Sequence, residues 1–360
     1  MTRSEYAQRR SLAASGLAGL KLDALLVSSP ANVRYLTGFT GSNGLAVLRP
    51  ASVLLFTDPR YRLQASEETA CKVVVARRSL FLAVTKWLPG KGIHRLGFEK
   101  GHLSQASFLL LDDERPSGVR LVPSGGLVEG LRMVKSPEEL DCIRSSVRLN
   151  SEAFEKTISR VCPGMSEIDL AAELDYRMRK LGAEKPAFET IVASGRRSAM
   201  PHASPAPKIL SRNELLLIDM GALREGYCSD MTRMAFLGRP GARVKRLYRA
   251  VLAAHGAAVA AVRDGITAEA VDRAARRVLR AHGLDRAFVH ACGHGLGLEI
   301  HESPRLGRGD KTRLRVGMAV TIEPGVYLQE FGGIRIEDTV VVTRNGCEIL
   351  TPTSKEILSL

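Results

Sequence analysis

The chain contains a single tryptophan, and aromatic residues make up only 5% of its 360 positions. None of its six cysteines stands in a Cys-x-x-Cys pair, which excludes a zinc knuckle and a dithiol redox motif. Cys71, Cys142, Cys162, Cys228, Cys292 and Cys347 are scattered instead, as expected of reduced thiols in a cytoplasm. No apolar run approaches the roughly 20 residues of a membrane span. The stretch Leu12–Leu20 is short, broken by glycines and without a clear cleavage site, so no secretory leader is expected. A dense basic run is also missing, although the net charge is +14. The arginines occur in separated pairs such as Arg9-Arg10, Arg77-Arg78, Arg196-Arg197 and Arg276-Arg277. That spread suits a solvated surface better than a specific nucleic-acid footprint. There is no short-period repeat, no low-complexity tract and no His-Glu-x-x-His helix of the zincin type. What remains, at 45% hydrophobic and 25% charged residues, is the composition of a soluble, cytoplasmic globular protein.

The length suggests two domains. In the first third, short apolar runs at 23–28, 44–48, 53–58, 73–76 and 96–99 read as strands. They alternate with helical patterns at 60–69, 80–88 and 103–112, which predicts an α/β layer domain. The segment 122–129, with Pro123, Gly125 and Gly126, reads as a linker and sets a boundary between 1–128 and 129–360. Beyond it, Ser136, Pro137 and Glu139 form a capping box with proline at the first helical position. This predicts a helix to about Arg160, followed by another from Ser166. Strands, two further helices near 242–263 and 267–282, and strands again complete an α+β pattern.

The polar residues of interest interrupt these later strands. The runs Glu214–Ala222 and Tyr227–Phe236 are apolar strands carrying Asp219 and Asp230, joined by turn-forming residues. A hairpin centred between Arg224 and Glu225 would set the two aspartates directly opposite each other, where like charges destabilise a sheet. Buried, they must be paired, protonated or bound to a cation. Taken alone, two solvent-facing aspartates on an edge strand remain an alternative. A second run, from Val289 to Glu302, holds His290, His294 and His301 among Gly293, Gly295 and Gly297. The glycines argue for a close-packed loop or kinked strand, and histidine is both the commonest metal ligand and the usual proton shuttle. Glu323 precedes a Pro-Gly turn, and Glu337 follows Arg335 by two residues in an apolar strand. Their plainer readings are a capped turn and a structural ion pair. Together these strands supply four carboxylates and an imidazole. That set suits manganese, cobalt, iron or zinc, and it exceeds what one ion needs. Two divalent ions at roughly 3.5–4 Å fit better.

The order Asp219, Asp230, His294, Glu323, Glu337 resembles that of the pita-bread metallopeptidases, the group of proline dipeptidase (prolidase), Xaa-Pro aminopeptidase and methionine aminopeptidase. The likeness spans about 135–355 and includes Ile191–Gly195, Ser198–His202, the His-x-x-Gly-His-Gly run, the Glu-Pro-Gly turn and Arg335–Asp338. The first 130 or so residues are more weakly similar to the creatinase-type N-terminal domain found in the proline-directed members. The resemblance implies an α/β creatinase-like domain over 1–128 and an α+β pita-bread catalytic domain over 129–360. It implies Asp219, Asp230, His294, Glu323 and Glu337 as ligands of two divalent ions, manganese first, with Asp230 and Glu337 bridging. His202, His290 and His301 would line the substrate site. The expected reaction is hydrolysis of the bond before proline in a di- or oligopeptide by metal-activated hydroxide. Glu323 would act as general base and His290 or His301 would stabilise the oxyanion. Arg335 would orient Glu337 from behind, and Arg305 would grip a substrate carboxylate, with an exposed surface arginine as its alternative. A homodimer follows from the likeness. The rival readings are a metal-free creatinase-like C–N hydrolase and a binding protein that kept the fold.

Overall fold

The computed structural model describes residues 2–360, which divide into two compact units, one ending at Arg132 and the other spanning Met133–Leu360. In the first, short apolar runs became β1 (Ala24–Val27), β2 (Gly44–Arg49), β3 (Ser52–Thr57), β4 (Lys72–Val75), β5 (Arg95–Glu99) and β6 (Arg120–Ser124). They form one mixed sheet in the order β4-β3-β2-β1-β5-β6, antiparallel across β1–β2–β3 and parallel elsewhere. Its helices are α1 (Arg3–Gly19), α2 (Pro30–Thr37), α3 (Arg62–Glu68), α4 (Leu80–Trp87), α5 (Gln105–Glu114) and α6 (Leu127–Arg132). Leu26, Val47, Phe56, Val84 and Leu96 meet in its core.

One sequence expectation is corrected by the structure, and one element was not anticipated. The stretch 122–129 is not a linker: Val122–Ser124 completes β6, on the parallel edge beside β5, and α6 follows after a two-residue break. The helix α1 gave no clear periodic signal. Its buried face is the narrow stripe Arg9, Ala13, Leu17, and one of those three is an arginine laid over the Tyr35 ring at 4.3 Å.

The second unit opens with α7 (Pro137–Ile158), whose Ser136–Glu139 capping box forms as expected, the two hydrogen bonds measuring 3.0 and 3.2 Å. α8 (Glu167–Lys180) starts on the equivalent Ser166–Asp169 box. The strands β7 (Lys185–Pro186), β8 (Ile191–Ser194), β9 (Leu215–Met220), β10 (Ala222–Arg224), β11 (Tyr227–Cys228) and β12 (Met231–Phe236) come next, then α9 (Ala242–Ala261) and α10 (Ala268–Ala281). The chain finishes with β13 (Gly293–Gly295), β14 (Glu302–Leu306), β15 (Ala319–Ile322), β16 (Gly325–Leu328), β17 (Gly332–Arg335), β18 (Asp338–Val342), β19 (Cys347–Ile349) and β20 (Leu358–Ser359). The larger sheets run β20-β12-β9-β8 and β14-β13-β15-β18-β19. β9 is buried on both faces: Leu216 and Ile218 pack toward α7 and α8, Leu215 and Leu217 toward α9 and α10. This explains why the strand reads as an unbroken apolar run.

The hairpin register differs from expectation by two residues. Arg224 pairs with Tyr227, so the turn is Glu225-Gly226, both with positive φ (52° and 79°), as a two-residue type I′ turn requires. Asp219 therefore lies opposite Thr232. Because the shift is even, Asp230 stays on Asp219's face as a diagonal neighbour. The run 333–342 is likewise not one strand. It breaks at Ile336-Glu337 between β17, which pairs with β16, and β18, which pairs with β15.

Candidate metal centre

Five strand ends and breaks each deliver one side chain. Asp219 lies near the end of β9, Asp230 between β11 and β12, and His294 in β13; Glu323 lies between β15 and β16, and Glu337 between β17 and β18. Two polar residues of α7 hold the hairpin in place: Ser146 donates to the Ala222 carbonyl at 2.8 Å and Asn150 to that of Met220 at 2.9 Å. A Cβ at position 293 would lie 2.0 Å from the Thr321 carbonyl oxygen. Only glycine there lets β13 come so close to β15 and bring His294 against Glu323.

All five side chains line one cavity of about 670 Å³, together with Arg335, His202, His290, His301 and Arg305. The His294 Nδ1–H donates to the Gly295 carbonyl at 3.0 Å, which turns the Nε2 lone pair toward Asp230 Oδ2 and Glu323 Oε1, each 3.5 Å away. Acceptors thus face acceptors. Asp230, His294 and Glu337 each present a ligand atom within 4.8 Å of the others. Oδ1 of Asp219, Oδ1 of Asp230 and Oε1 of Glu337 are buried without a hydrogen-bond partner, a costly state for a carboxylate. Burial, reinforced by the charges of Asp219 and Glu323, holds the Asp230 carboxyl well above its ordinary range. Burial followed by the charge of Asp230 does the same to Glu337. Glu323 is raised as well, its burial outweighing the nearby His294 and Arg335. Divalent cations relieve each of these tensions at once, and a donor set of carboxylate oxygens with one imidazole fits hard or borderline ions.

Arg335 does not sit behind Glu337. Its Nη2 donates to Asp219 Oδ2, its Nε to Thr232 Oγ1 at 3.0 Å, and its Nη1 to the Tyr327 hydroxyl at 2.7 Å. It reaches Glu337 only through Thr232, whose hydroxyl donates to Glu337 Oε2 at 2.7 Å. The cause is the register: Thr232 stands opposite Asp219, and the break after β17 turns Glu337 away from the Arg335 face.

The three flanking histidines differ. His290 donates from Nδ1 to the Ala291 carbonyl and accepts the Tyr327 hydroxyl at Nε2, both at 2.8 Å. Burial, with the Arg335 charge, pushes its pKa down to about 4, so it is neutral near neutral pH with both nitrogens engaged. His301 lies with its ring 4.4 Å from that of His294, and burial lowers its pKa also. Among the described residues neither the His301 nor the His202 ring has a hydrogen-bond partner, and both keep part of their surface open to the cavity. Arg305 is exposed on the cavity wall, opposite His294 in the β13–β14 pairing.

Sequence reasoning passed over Tyr327, Thr232 and Lys135. Tyr327 is four residues after Glu323, but the Pro-Gly turn between them breaks the strand and hides any period-2 signal. Thr232 becomes visible once the turn is read as Glu225-Gly226. Lys135, from before α7, makes a 3.0 Å ion pair with Glu302 on the cavity wall, and nothing local marks it.

A cleft that gathers four carboxylates and an imidazole, with further histidines around it, defines a metal-dependent hydrolytic centre. Residues 141–344 match the profile of metallopeptidase family M24 and residues 9–134 that of the creatinase/prolidase N-terminal domain; the chain belongs to family M24. An uncharacterized peptidase of Bacillus subtilis, YqhT, is 39% identical over 95% of this chain and 97% of its own length. A Xaa-Pro dipeptidase of Pyrococcus furiosus is 36% identical over 94% of this chain and 95% of its own length. The solved structure of a Xaa-Pro dipeptidase from Bacillus anthracis superposes with a TM-score of 0.95 at 35% identity, covering 99% of this chain and all of that one. The fold is therefore a creatinase-type α/β domain followed by an α+β pita-bread domain. The protein is a peptidase of a metal-dependent family, and the metal-free C–N hydrolase and binding-only readings are not favoured. No helix among the described residues is long and apolar enough to cross a membrane.

Proposed function

We propose that the protein hydrolyses the peptide bond between an N-terminal residue and proline, as a Xaa-Pro dipeptidase or aminopeptidase. The carrying observation is the cluster of buried carboxylates with unpartnered oxygens around the His294 Nε2. Asp219, Asp230, His294, Glu323 and Glu337 would hold two divalent ions. Bound there, the ions would polarise the scissile carbonyl and lower the pKa of water. Manganese heads the candidates because the set is rich in oxygen donors, with cobalt, zinc and iron behind it.

The chain's own groups do the rest. Glu323 Oε2, 3.8 Å from His290 Nδ1, accepts the proton of the attacking water and passes it toward the proline nitrogen. His301, with a free ring on the wall, donates to the developing oxyanion. His290, neutral and locked to Tyr327, shapes the floor of the substrate site, and His202 contacts the proline end. Arg305 faces the cavity and pairs with the substrate carboxylate. Arg335 holds Asp219 in orientation. The prolidase names among the relatives support the proline preference. Six free thiols suit a reducing cytoplasm, and a homodimer rests on the family likeness.

The test is an assay of the manganese-loaded protein on an Xaa-Pro dipeptide, an Xaa-Pro tripeptide and an Xaa-Ala dipeptide. Cleavage of the first alone means a dipeptidase, and cleavage of the first two an aminopeptidase. Preference for the Xaa-Ala bond rejects the proline reading.

A further inference from the structure

The catalytic chemistry makes no use of a second cavity, of about 480 Å³, formed wholly by residues of the first unit. Its wall carries four cationic side chains, Arg10, Arg49, Lys72 and Lys91, and no acidic one. Neutral groups hold three of them there. The Arg49 guanidinium and the Lys91 ammonium lie 5.9 and 5.8 Å from the centroid of the Trp87 ring, which also lines the cavity. Arg49 Nη2 donates to the Lys91 carbonyl at 3.0 Å, and Arg10 Nη1 to the Leu36 carbonyl at 3.3 Å.

None of the four makes an ion pair among the described residues, whereas Arg60, Arg115, Arg144 and Arg177 elsewhere all do. Four like charges lining one concavity repel each other, less where water screens them, and an anion seated among them offsets that repulsion. Arg10 and Arg49 are half-buried and Lys72 and Lys91 exposed, so the cavity is open to a soluble anion.

We propose that this cavity is a binding site for a diphosphate group. Two guanidinium forks suit phosphate oxygens, two ammonium groups supply compact charge, and the four together match the three to four negative charges such a group carries. The volume lies within the range of roughly 300–1,000 Å³ typical of small-molecule sites. Inorganic diphosphate and the diphosphate of a nucleotide share this chemistry. The proposal does not rest on the peptidase reading, since no catalytic residue is involved.

Trp87 is the only tryptophan in the chain, so its emission reports occupancy of this cavity directly. The full-length protein is titrated with inorganic diphosphate, ADP and adenosine in about 50 mM salt, where charge interactions are weakly screened. We expect a saturable change with diphosphate and ADP and none with adenosine. Equal affinities for the first two identify the phosphates as the whole ligand, while tighter binding of ADP adds the nucleoside. Raising salt weakens binding, and the variant Lys72→Glu/Lys91→Glu, both exposed positions, loses about tenfold or more with its peptidase activity unchanged. Adenosine binding as well as ADP overturns the proposal. So does no saturable response to either phosphate ligand, or an unaltered affinity in the charge-reversed variant.

Discussion

Arg335 donates to one carboxylate oxygen of Asp219 and leaves the other buried and without a partner, on a residue that lines the cavity. The guanidinium thus fixes the plane of the carboxylate and leaves one oxygen for a cation. Thr232 and the Tyr327 hydroxyl fix Arg335 in turn. A lysine has no planar fork and cannot make these contacts together. Arg335→Lys is expected to keep the fold and to lose roughly 10- to 100-fold in metal affinity or kcat, the usual cost of removing a ligand's orienting partner. Isothermal titration with manganese and steady-state kinetics check this; unchanged values for both reject the orienting role.

Glu323→Gln removes the proton acceptor and one anionic oxygen while keeping shape and volume. Its backbone N–H bond to the Cys292 carbonyl, at 2.8 Å, is unaffected. The expected result is a folded protein with unchanged circular dichroism and kcat reduced by about 10²–10⁴. Asp219→Ala is expected to lose metal as read by elemental analysis. Full occupancy there, or near-normal turnover of the glutamine variant, rejects the assignments.

Asp230, Glu337 and Glu323 all have raised native pKa values because burial and their neighbours' charges oppose ionisation. Between its unfolded and native pKa, such a group binds more protons folded than unfolded, so stability falls as pH rises through that interval. His290 and His301, whose lowered values act in the opposite sense, are retained in Glu337→Gln, so the metal-free wild type is expected to lose more stability than metal-free Glu337→Gln as pH rises above the ordinary carboxylate range, at roughly 2–4 °C per kcal/mol. Manganese affinity moves the opposite way and increases with pH, because the cation displaces those protons. Calorimetry with and without chelator reads both. Parallel stability–pH curves for the metal-free wild type and metal-free Glu337→Gln contradict the raised values.

How much of this was legible depended on range. Ser136 and Ser166 announced their helices because a capping box is complete within four residues. The five cavity residues stood out because four are carboxylates interrupting apolar runs of sequence and the fifth is a histidine in a glycine-rich run. The register was misjudged because a turn's centre depends on which two residues take positive φ, and Glu225 is not a residue that advertises it. Arg335's true partner, Asp219, is 116 positions away. Period-2 alternation pointed to Glu337 instead, since it carries no information about a break in the strand. The same holds for Lys135, 167 positions from Glu302.

That last pair yields the most demanding prediction. The Lys135 and Glu302 side chains are 1% and 5% exposed, and Glu302 directly follows His301 in the wall of the cavity. Its Oε1 also accepts the Glu299 N–H at 3.2 Å, and its carboxylate fills the space a side chain at Gly297 would need. The loop carrying His301 is thus wound around one buried anion, with Lys135 as its counter-charge. Lys135→Met leaves that anion without the lysine and is expected to cost about 3–5 kcal/mol, much more than the net worth of a buried pair. Adding Glu302→Gln removes the stranded charge, so the double variant should be more stable than Lys135→Met alone. If the pair only supports the fold, the double variant regains activity along with stability. If it also places His301, kcat/KM stays low in the double variant while manganese affinity is normal. Additive losses in the double-mutant cycle would show that the two side chains are not coupled at all.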